Sequence, residues 1–307
     1  MPTFQVNATD AGTRLDIFLG RALNLSRREV VRALAAGLVN VDGKDVSARD
    51  KGRALEHSTT VAVTSLDALT NIVPEPDAPF TVLFEAEGCL VVDKPPGVPV
   101  LPQTPFERGT LLNVVVARYP QLQGVGEGGL KSGVVHRIDT DTSGALLLAT
   151  SQEKWTKLRA AFTERRVSKT YRALVQGRLT GAARETMSLV VARHRPARVR
   201  VLADDEVSNA ASSSARVCTL QWRALETFQT ATLVEINLET GFLHQIRAMF
   251  AHNGHPVLGD AVYGTAASGV PRQMLHASRL ELEGVTAYSP DPADFAAVLT
   301  RLRERSA

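Results

Sequence analysis

The segment from Gly133 to Ala149 reads GVVHRIDTDTSGALLLA and joins two apolar runs through a cluster of charged and hydroxyl residues. We expect both apolar runs to be core strands, which hold the side chains of the polar loop in fixed positions. A hairpin whose Asp and Ser side chains cap their own backbone is an alternative interpretation. The spacing of the residues does not decide between these two structures.

The length and composition of the chain narrow the class of protein. The 307 residues are enough for two domains, and an apolar fraction of 44% with a charged fraction of 22% is typical of a globular protein. The 35 basic and 32 acidic residues leave a formal charge of +3, which excludes a uniformly basic coat for nucleic acid. A local basic patch remains compatible with this balance.

The cysteines and the apolar runs indicate the compartment. Only two cysteines are present, Cys89 and Cys218, and neither belongs to a C-x-x-C pair, so a disulfide scaffold or a zinc finger is excluded. No apolar run approaches the roughly 20 residues that cross a bilayer, and the N-terminal residues do not resemble a secretory signal. We therefore predict a cytoplasmic protein without a membrane partner.

The positive charge is concentrated near the N-terminus. Residues 13–55 contain nine basic and five acidic side chains, a net charge of +4, which leaves −1 for the rest of the chain. The apolar stripe of residues 15–23 predicts a helix, and Ser26 with Glu29 forms a capping box that starts a second helix. The later residues LVNVDG predict a strand that enters a tight hairpin turn. We therefore expect a small folded unit at this end of the chain.

Three arginines of the second helix, Arg27, Arg28 and Arg32, form a cationic ridge that can contact phosphates. For charge alone, an ordinary solvated helix face is an alternative interpretation. The sequence RLDIFLGRALNLSRREVVRALAAGLVNVDGKDV, residues 14–46, resembles the S4 RNA-binding domain. This resemblance implies that the ridge contacts RNA.

The rest of the chain predicts a second domain of the α+β class. Residues 65–80 carry three prolines and form the predicted linker, so the predicted domains are residues 1–64 and 81–307. Short β-rich runs dominate the second domain without a regular alternation of strand and helix, which favours a largely antiparallel sheet. The predicted strands are 81–84, 89–92, 134–137, 145–148, 171–175, 189–192, 199–202, 218–222 and 231–238, and the predicted helices are 111–118, 152–165 and 243–253.

The polar loop itself carries a specific motif. The residues H-R-I-D-x-x-T-S-G at 136–144 resemble the signature of the RluA-type pseudouridine synthases. Further motifs of that family occur in the family's order along the chain. They are K-P-x-G at 94–97, K-x-Y at 169–171, H-Q-I-R at 244–247, G-D-x-x-Y-G at 259–264 and L-H-A at 275–277.

The resemblance implies both a fold and an activity. The fold is α+β, with a small α/β S4-like domain followed by a mixed, mostly antiparallel β-sheet synthase domain with flanking helices. The activity is the isomerisation of uridine to pseudouridine in RNA by a monomer, a reaction that needs no cofactor. An S4-like domain favours large-subunit (23S-type) ribosomal RNA over transfer RNA, and no DNA partner is expected.

The resemblance also assigns roles to individual residues. Asp139 is the nucleophile or base, Arg247 pairs with its carboxylate, and Tyr171 stacks on the target base and relays a proton. The substrate-binding residues are His136, Arg137, Thr142, Lys169, His244 and Gln245. No metal ion is implied.

Three departures from the family pattern lie around the H-Q-I-R motif. Phe242 and Leu243 stand where the family commonly has a cation and a hydroxyl, and Met249 stands where a second histidine is usual. The predicted catalytic positions are intact. We therefore expect activity, with contacts to RNA around the pocket that differ from those of the family.

A metal site is one alternative interpretation of the C-terminal motifs. His244, His252, His255 and Asp260 have side chains that bind transition metals. The family resemblance accounts for these positions without a metal, and we predict none.

Two other functions are compatible with parts of the sequence. Asp139 and Asp141 have the residue type that an N-glycoside hydrolase employs, but residues i and i+2 of an extended segment point to opposite faces. The S4-like segment alone is compatible with a non-catalytic RNA-binding or ribosome-assembly protein. The reaction product separates these functions, because a hydrolase releases free uracil and an isomerase does not.

Overall fold

The computed structural model describes residues 2–65, 71–203, 214–264 and 269–306, which form two β-sheets with helices packed against them. One sheet has four strands and is built from the N-terminal part of the chain, and the other has ten strands. Among the described helices, none is long and apolar enough to cross a membrane.

The N-terminal unit packs two helices against the sheet of order β1-β4-β2-β3. Its elements are β1 (Thr3–Gln5), α1 (Leu15–Leu23), α2 (Arg27–Ala35), β2 (Val39–Val41), β3 (Lys44–Asp45) and β4 (Thr60–Val63). Leu15, Leu34 and Val61 belong to one cluster of buried side chains that joins the helices to the strands. The two predicted helices and the predicted hairpin are therefore confirmed.

Two local signals explain why this unit folds as predicted. Ser26 Oγ accepts the N–H of Glu29 at 3.3 Å, and the Glu29 carboxylate accepts the N–H of Ser26 at 2.7 Å, so α2 begins with the capping box. Asp42 and Gly43 have positive φ angles of +50° and +78°, as the tight turn between β2 and β3 requires. Both signals act between near neighbours in sequence.

The described part of the predicted linker packs against the second unit. Ile72 is buried, and its backbone donates to and accepts from the side-chain amide of Gln123 at 3.2 and 2.6 Å. Asn113 donates to the carbonyl of Val73 at 2.7 Å. Residues 66–70 lie outside the described part of the chain. Ile72 and Val73, which follow the undescribed residues, are therefore held by hydrogen bonds to the second unit.

The second unit is built on a mixed sheet of order β10-β9-β11-β12-β8-β13-β7-β6-β5, with β14 beside β13. Among the described strand pairs, β7 with β13 is parallel and all others are antiparallel, which confirms the predicted fold class. The strands are β5 (Thr81–Ala86), β6 (Cys89–Lys94), β7 (Ser143–Ala149), β8 (Ser168–Gln176), β9 (Ala182–His194), β10 (Ala197–Val201), β11 (Arg216–Thr227), β12 (Ala231–Leu238), β13 (Leu275–Leu282) and β14 (Val285–Tyr288). The helices are α3 (Leu111–Arg118), α4 (Gln152–Thr163), α5 (Gln245–His252) and α6 (Ala293–Glu304).

The predicted strand over residues 134–137 is wrong. Val134 forms one isolated β-bridge with Leu148, and residues 135–137 belong to no strand. The carbonyls of Val134 and Val135 are satisfied by the side chains of Trp155 and Arg159 at 3.0 and 2.8 Å. Because side chains of α4 replace a neighbouring strand as hydrogen-bond donors, this apolar run does not join the sheet.

Helices cover both faces of the ten-stranded sheet. Along β8, Tyr171 and Ala173 pack in one cluster with residues of α3 and α5, whereas Leu174 packs in another cluster with residues of α6. Residues of α4 belong to a third cluster that includes alternate residues of β6 and β7. This alternation gives Tyr171 and α5 the same face of the sheet.

Gly144 marks the point where β7 meets β13. Its φ angle is +114°, and a Cβ atom at this position would lie 2.2 Å from the carbonyl oxygen of Ala277. Only glycine therefore permits this close approach. The polar loop ends at this crossing.

Candidate active site

The polar loop of residues 139–142 is a turn held by its own backbone and by buried side chains. The N–H of Thr142 donates to the carbonyl of Asp139 at 3.1 Å, which closes the turn. Gln273 donates to the hydroxyl of Thr142 at 2.9 Å. The side chain of Asp139 is thus carried by a loop whose backbone and neighbouring hydroxyl are both fixed.

Lys94 holds the same loop from the end of β6. Its side chain is completely buried, and Nζ donates to the carbonyls of Pro95, Val98 and Thr140 at 2.8, 2.8 and 2.7 Å. Burial lowers the pKa of Lys94 to about 7. The K-P-x-G motif was the signal for this contact, although the sequence does not say which carbonyls the lysine meets.

Arg272 also holds the loop. Nη1 donates to the carbonyl of Asp141 at 2.9 Å, and Nη2 donates to Ser143 Oγ at 3.1 Å. The same guanidinium makes two hydrogen bonds to the carboxylate of Asp294, the second residue of α6. The C-terminal helix is therefore linked to the polar loop through one buried arginine, which the sequence-based prediction missed.

Asp139 forms one end of an array of two carboxylates and one guanidinium. Arg247 Nη1 donates to Asp139 Oδ2 at 2.8 Å. Arg247 Nε and Nη2 donate to the two oxygens of Asp260 at 2.6 and 2.9 Å. Both Arg247 and Asp260 are buried, whereas Asp139 remains partly exposed. Among the described residues, Asp139 Oδ1 has no hydrogen-bond partner, so one oxygen is held and the other is available.

Asp260 keeps its charge in spite of complete burial. Burial acts to raise the pKa of Asp260, but hydrogen bonds from Arg247 and from the backbone N–H groups of Val262 and Tyr263 keep it below the ordinary value. Asp260, which could be read as a metal ligand from the sequence, thus pairs with Arg247 in the structure. The described residues contain no group of three or more His, Cys, Asp or Glu side chains with the arrangement of a metal site.

A cleft of about 590 Å³ opens beside this array, a size within the range of small-ligand sites. All the residues to which the resemblance gives catalytic or substrate-binding roles line it. They are His136, Arg137, Asp139, Thr142, Lys169, Tyr171, His244, Gln245 and Arg247. The structure thus brings together residues that are up to 111 positions apart in a single cavity.

Residues 88–252 match the family model described as RNA pseudouridylate synthase. Over 97% of this chain and 91% of the relative, the chain is 33% identical to a ribosomal large subunit pseudouridine synthase D of Xanthomonas campestris. It is also 33% identical to the protein of that name in Pseudomonas aeruginosa, over 95% of this chain and 93% of the relative. The chain belongs to the RNA pseudouridylate synthase family.

The solved structure of human RNA pseudouridylate synthase domain containing 4 has the same fold, with a TM-score of 0.57 and 22% identity over 72% of this chain and 92% of that chain. Family membership makes this protein an isomerase. The non-catalytic protein and the N-glycoside hydrolase are therefore not the functions that the family supports.

Tyr171 presents a neutral ring to the cleft of this synthase. The side chain is buried on β8, and burial together with the charge of Asp139 raises its pKa well above the ordinary value. The phenol therefore keeps its proton at neutral pH. A neutral flat ring is suited to stacking on a base.

His136 and Gln245, both predicted to bind the substrate, make hydrogen bonds within the protein. His136 Nε2 accepts the N–H of Leu147 at 3.0 Å, its ring stacks on Phe162, and burial lowers its pKa to about 3. The Gln245 amide accepts from Thr240 Oγ1 at 2.9 Å and donates to the carbonyl of Thr219 at 3.1 Å. Both side chains therefore shape the wall of the cleft.

Lys169 and Arg137 are cations without a carboxylate partner among the described residues. Lys169 Nζ lies 6.0 Å from the centroid of the Phe162 ring, and burial lowers its pKa to about 8. Arg137 is exposed beside Asp139. Unpaired cations at the edge of a cleft are suited to phosphate groups.

The arginines of α2 lie outside the cleft. Arg27 is 77% exposed and, among the described residues, its one ion pair is a long contact of 3.9 Å to Asp16; Arg28 is also exposed. Arg32 Nη2 donates to the carbonyl of Gln103 at 3.2 Å, in a loop of the second unit. The ridge thus borders a contact between the two units.

The three departures from the family pattern differ in their surroundings. Phe242 and Leu243 are partly buried and give the cleft an apolar wall. Met249 is completely buried in the core. Of these three departures, Phe242 and Leu243 are therefore the two that can change contacts with a ligand in the cleft.

Proposed function

We propose that this synthase converts uridines of large-subunit ribosomal RNA to pseudouridine, with Asp139 as the nucleophile or base. The observation that carries this proposal is the carboxylate of Asp139, which Arg247 holds by one oxygen at 2.8 Å at the side of a cleft. The relatives that are named for the large ribosomal subunit support this class of RNA over transfer RNA.

The reaction requires the exchange of one bond for another. The N1–C1′ bond of uridine breaks, the uracil ring turns, and a C5–C1′ bond forms. C5 loses a proton and N1 gains one, so the mass of the RNA is unchanged and no oxidant or cofactor is consumed. Asp139 either attacks C1′ or removes a proton from the ribose, and in both routes the electron pair of the broken bond leaves with the uracil ring.

The cleft supplies groups for a nucleotide that has left its helix. A base inside an RNA stem cannot reach Asp139, so the target uridine flips out. The ring of Tyr171 stacks on the base, and Arg137 and Lys169 bind the flanking phosphates. Four more side chains complete the wall of the cleft and fix the position of the nucleotide. They are His136, Thr142, His244 and Gln245.

The N-terminal unit supplies a second contact with RNA. Residues 1–64 form an S4-like domain whose arginines Arg27, Arg28 and Arg32 dock on phosphates, residues 65–80 connect it, and residues 81–307 form the catalytic domain. The enzyme acts as a monomer on ribosomal RNA in the cytoplasm. The free cysteines Cys89 and Cys218 suit a reducing compartment.

Pseudouridine mapping of total RNA from cells with and without the gene tests this proposal. A site in large-subunit ribosomal RNA is lost on deletion and returns when the wild-type gene is restored. The Asp139→Asn variant does not restore it, because the amide is neither a nucleophile nor a base. A lost site in transfer RNA contradicts the proposed substrate, and restoration by the variant contradicts the proposed role of Asp139.

A further inference from the structure

A chain of two hydrogen bonds connects strand β10 with a histidine of the cleft. The backbone N–H of Val199 donates to Tyr263 Oη at 2.7 Å. Tyr263 Oη lies 3.0 Å from His244 Nδ1. Because a backbone N–H can only donate, Tyr263 Oη accepts from Val199 and its own proton is free for His244.

This direction of donation fixes the tautomer of the imidazole. A neutral histidine carries its proton on one nitrogen and accepts hydrogen bonds on the other. If His244 Nδ1 accepts from Tyr263, the proton is on Nε2. The reverse arrangement leaves the hydroxyl proton of Tyr263 without an acceptor among the described residues.

His244 is neutral under ordinary conditions. Burial lowers the pKa of His244 below its usual value, and the charges of Arg247 and Arg137 act in the same direction. Asp139 and Asp260 oppose them. The net effect leaves the imidazole uncharged at neutral pH, so a tautomer is defined.

Both rings pack against other groups of the site. The centroid of the Tyr263 ring lies 5.2 and 5.9 Å from the guanidinium carbon atoms of Arg247 and Arg198, and the ring stands nearly perpendicular to that of His244. His244 precedes α5 with a left-handed backbone, at a φ angle of +51°. A non-glycine residue in this region is strained, and such strain is found where a side chain must be aimed.

The remaining nitrogen of His244 faces the reaction centre. Nε2 lies 3.9 Å from Asp139 Oδ2, which is too long for a hydrogen bond, and it has no other partner in the described part of the chain. The side chain lines the cleft and is 13% exposed. An N–H group without a partner is thus held beside the carboxylate.

We propose that Tyr263 fixes His244 as the Nε2–H tautomer, and that this N–H donates a hydrogen bond to the carbonyl oxygen of uracil next to N1. The proposal rests on the proposed function, since it concerns the same cleft. When the N1–C1′ bond breaks, its electron pair enters the ring and negative charge develops on that oxygen. A fixed N–H stabilises the departing ring without transferring a proton to it.

Nitrogen-15 spectra of the full-length protein test the tautomer without any RNA. The resonance of His244, assigned by its loss in His244→Gln, is expected to show a protonated Nε2 and a bare Nδ1. In Tyr263→Phe the donor is gone, so the Nδ1–H form is expected to appear. A wild-type protein with Nδ1–H contradicts the proposal, even if the enzyme proves to modify another RNA.

A pair of substitutions tests the donor during the reaction. The side-chain amide of His244→Gln reaches the position of Nε2, whereas that of His244→Asn reaches only the position of Nδ1. We expect the single-turnover rate to fall about 100-fold for His244→Asn and less than about 10-fold for His244→Gln, with RNA affinity nearly unchanged. Equal loss of rate in both variants, or a loss confined to affinity, overturns the proposal.

Two controls separate this test from the others. His252 is exposed at the other end of α5, and His252→Asn is expected to leave the rate unchanged. Asp139→Asn is expected to be inactive. An active Asp139→Asn variant overturns the proposed function, while the spectra of His244 still test the tautomer.

Discussion

Two exposed arginines of the N-terminal unit and two buried arginines of the second unit are used in opposite ways. Arg27 and Arg28 are exposed on the N-terminal unit, and among the described residues their one contact with a carboxylate is that of Arg27 with Asp16 at 3.9 Å. Arg247 and Arg272 are buried in the second unit, and each makes two hydrogen bonds to one carboxylate. The surface arginines keep their donors for a partner, whereas the buried arginines have used theirs within the protein.

This difference follows from the energetics of burial. A buried charge without a partner costs several kcal/mol, so a buried arginine must be paired, and pairing fixes its direction. Arg247 can therefore hold Asp139 in one orientation. An exposed arginine keeps its hydration and many conformations, which suits reversible contact with phosphates. The comparison predicts large effects on stability in one unit and effects on RNA binding in the other.

Loss of the buried carboxylate Asp260 has the largest expected effect on stability. In Asp260→Asn the amide keeps the shape but not the charge, so Arg247 loses its main partner. We expect the free energy of unfolding to fall by about 3 kcal/mol or more, measured by denaturant titration. The Asp139 carboxylate is also expected to lose its fixed position, with a reduced rate.

The matched control is an exposed pair of the same type. Glu235 accepts from Arg223 at 2.7 Å, and the Arg223 side chain is 61% exposed. Glu235→Gln is expected to change the free energy of unfolding by less than about 1 kcal/mol. Equal destabilisation by both substitutions contradicts the distinction between buried and exposed pairs.

Removal of two surface arginines tests the other half of the comparison. In Arg27→Ala/Arg28→Ala we expect the plot of log affinity for RNA against log salt concentration to become shallower, by the equivalent of about 1 to 2 phosphate contacts. Affinity at low salt is expected to fall about 10-fold. The free energy of unfolding is expected to change by less than about 1 kcal/mol. Lys157→Ala, on the exposed side of α4, is the charge control. An unchanged salt slope means that the ridge does not meet phosphates.

Lys169 lies between these two extremes, and its effect is the smallest. A lysine is cationic below its pKa, and burial lowers that of Lys169 to about 8. If Lys169 binds phosphate, wild-type affinity for RNA falls by about 2- to 5-fold as the pH rises from 6.5 to 8.5 at constant ionic strength. Lys169→Arg stays charged and is expected to flatten this dependence. A variant with the pH dependence of the wild type contradicts the assignment.

Local signals made the N-terminal unit predictable. The capping box of Ser26 with Glu29 and the turn at Asp42 and Gly43 depend on residues one to three positions apart, and both are present. The predicted strand over residues 134–137 is wrong for the opposite reason, because its hydrogen-bond partners are distant in sequence. Its carbonyls are met by Trp155 and Arg159, which lie more than 20 positions away.

The candidate site shows the same limit. Motifs identified the side chains that line the cleft, because each motif has a fixed spacing. They did not reveal that Asp260 pairs with Arg247, or that Arg272 joins α6 to the polar loop, since these contacts depend on how distant segments fold together. From the sequence, Asp260 could be read as a metal ligand, whereas in the fold its carboxylate pairs with Arg247.

The most direct test of the central claim is the release of tritium from RNA that carries 5-tritiated uridine. Formation of the C5–C1′ bond expels the C5 hydrogen, so the wild-type enzyme is expected to release tritium into water while RNA length stays unchanged. Asp139→Asn is expected to be at least about 1,000-fold slower, with a folded structure and near-normal RNA affinity. Release of free labelled uracil by the wild type, or full activity of Asp139→Asn, contradicts the account.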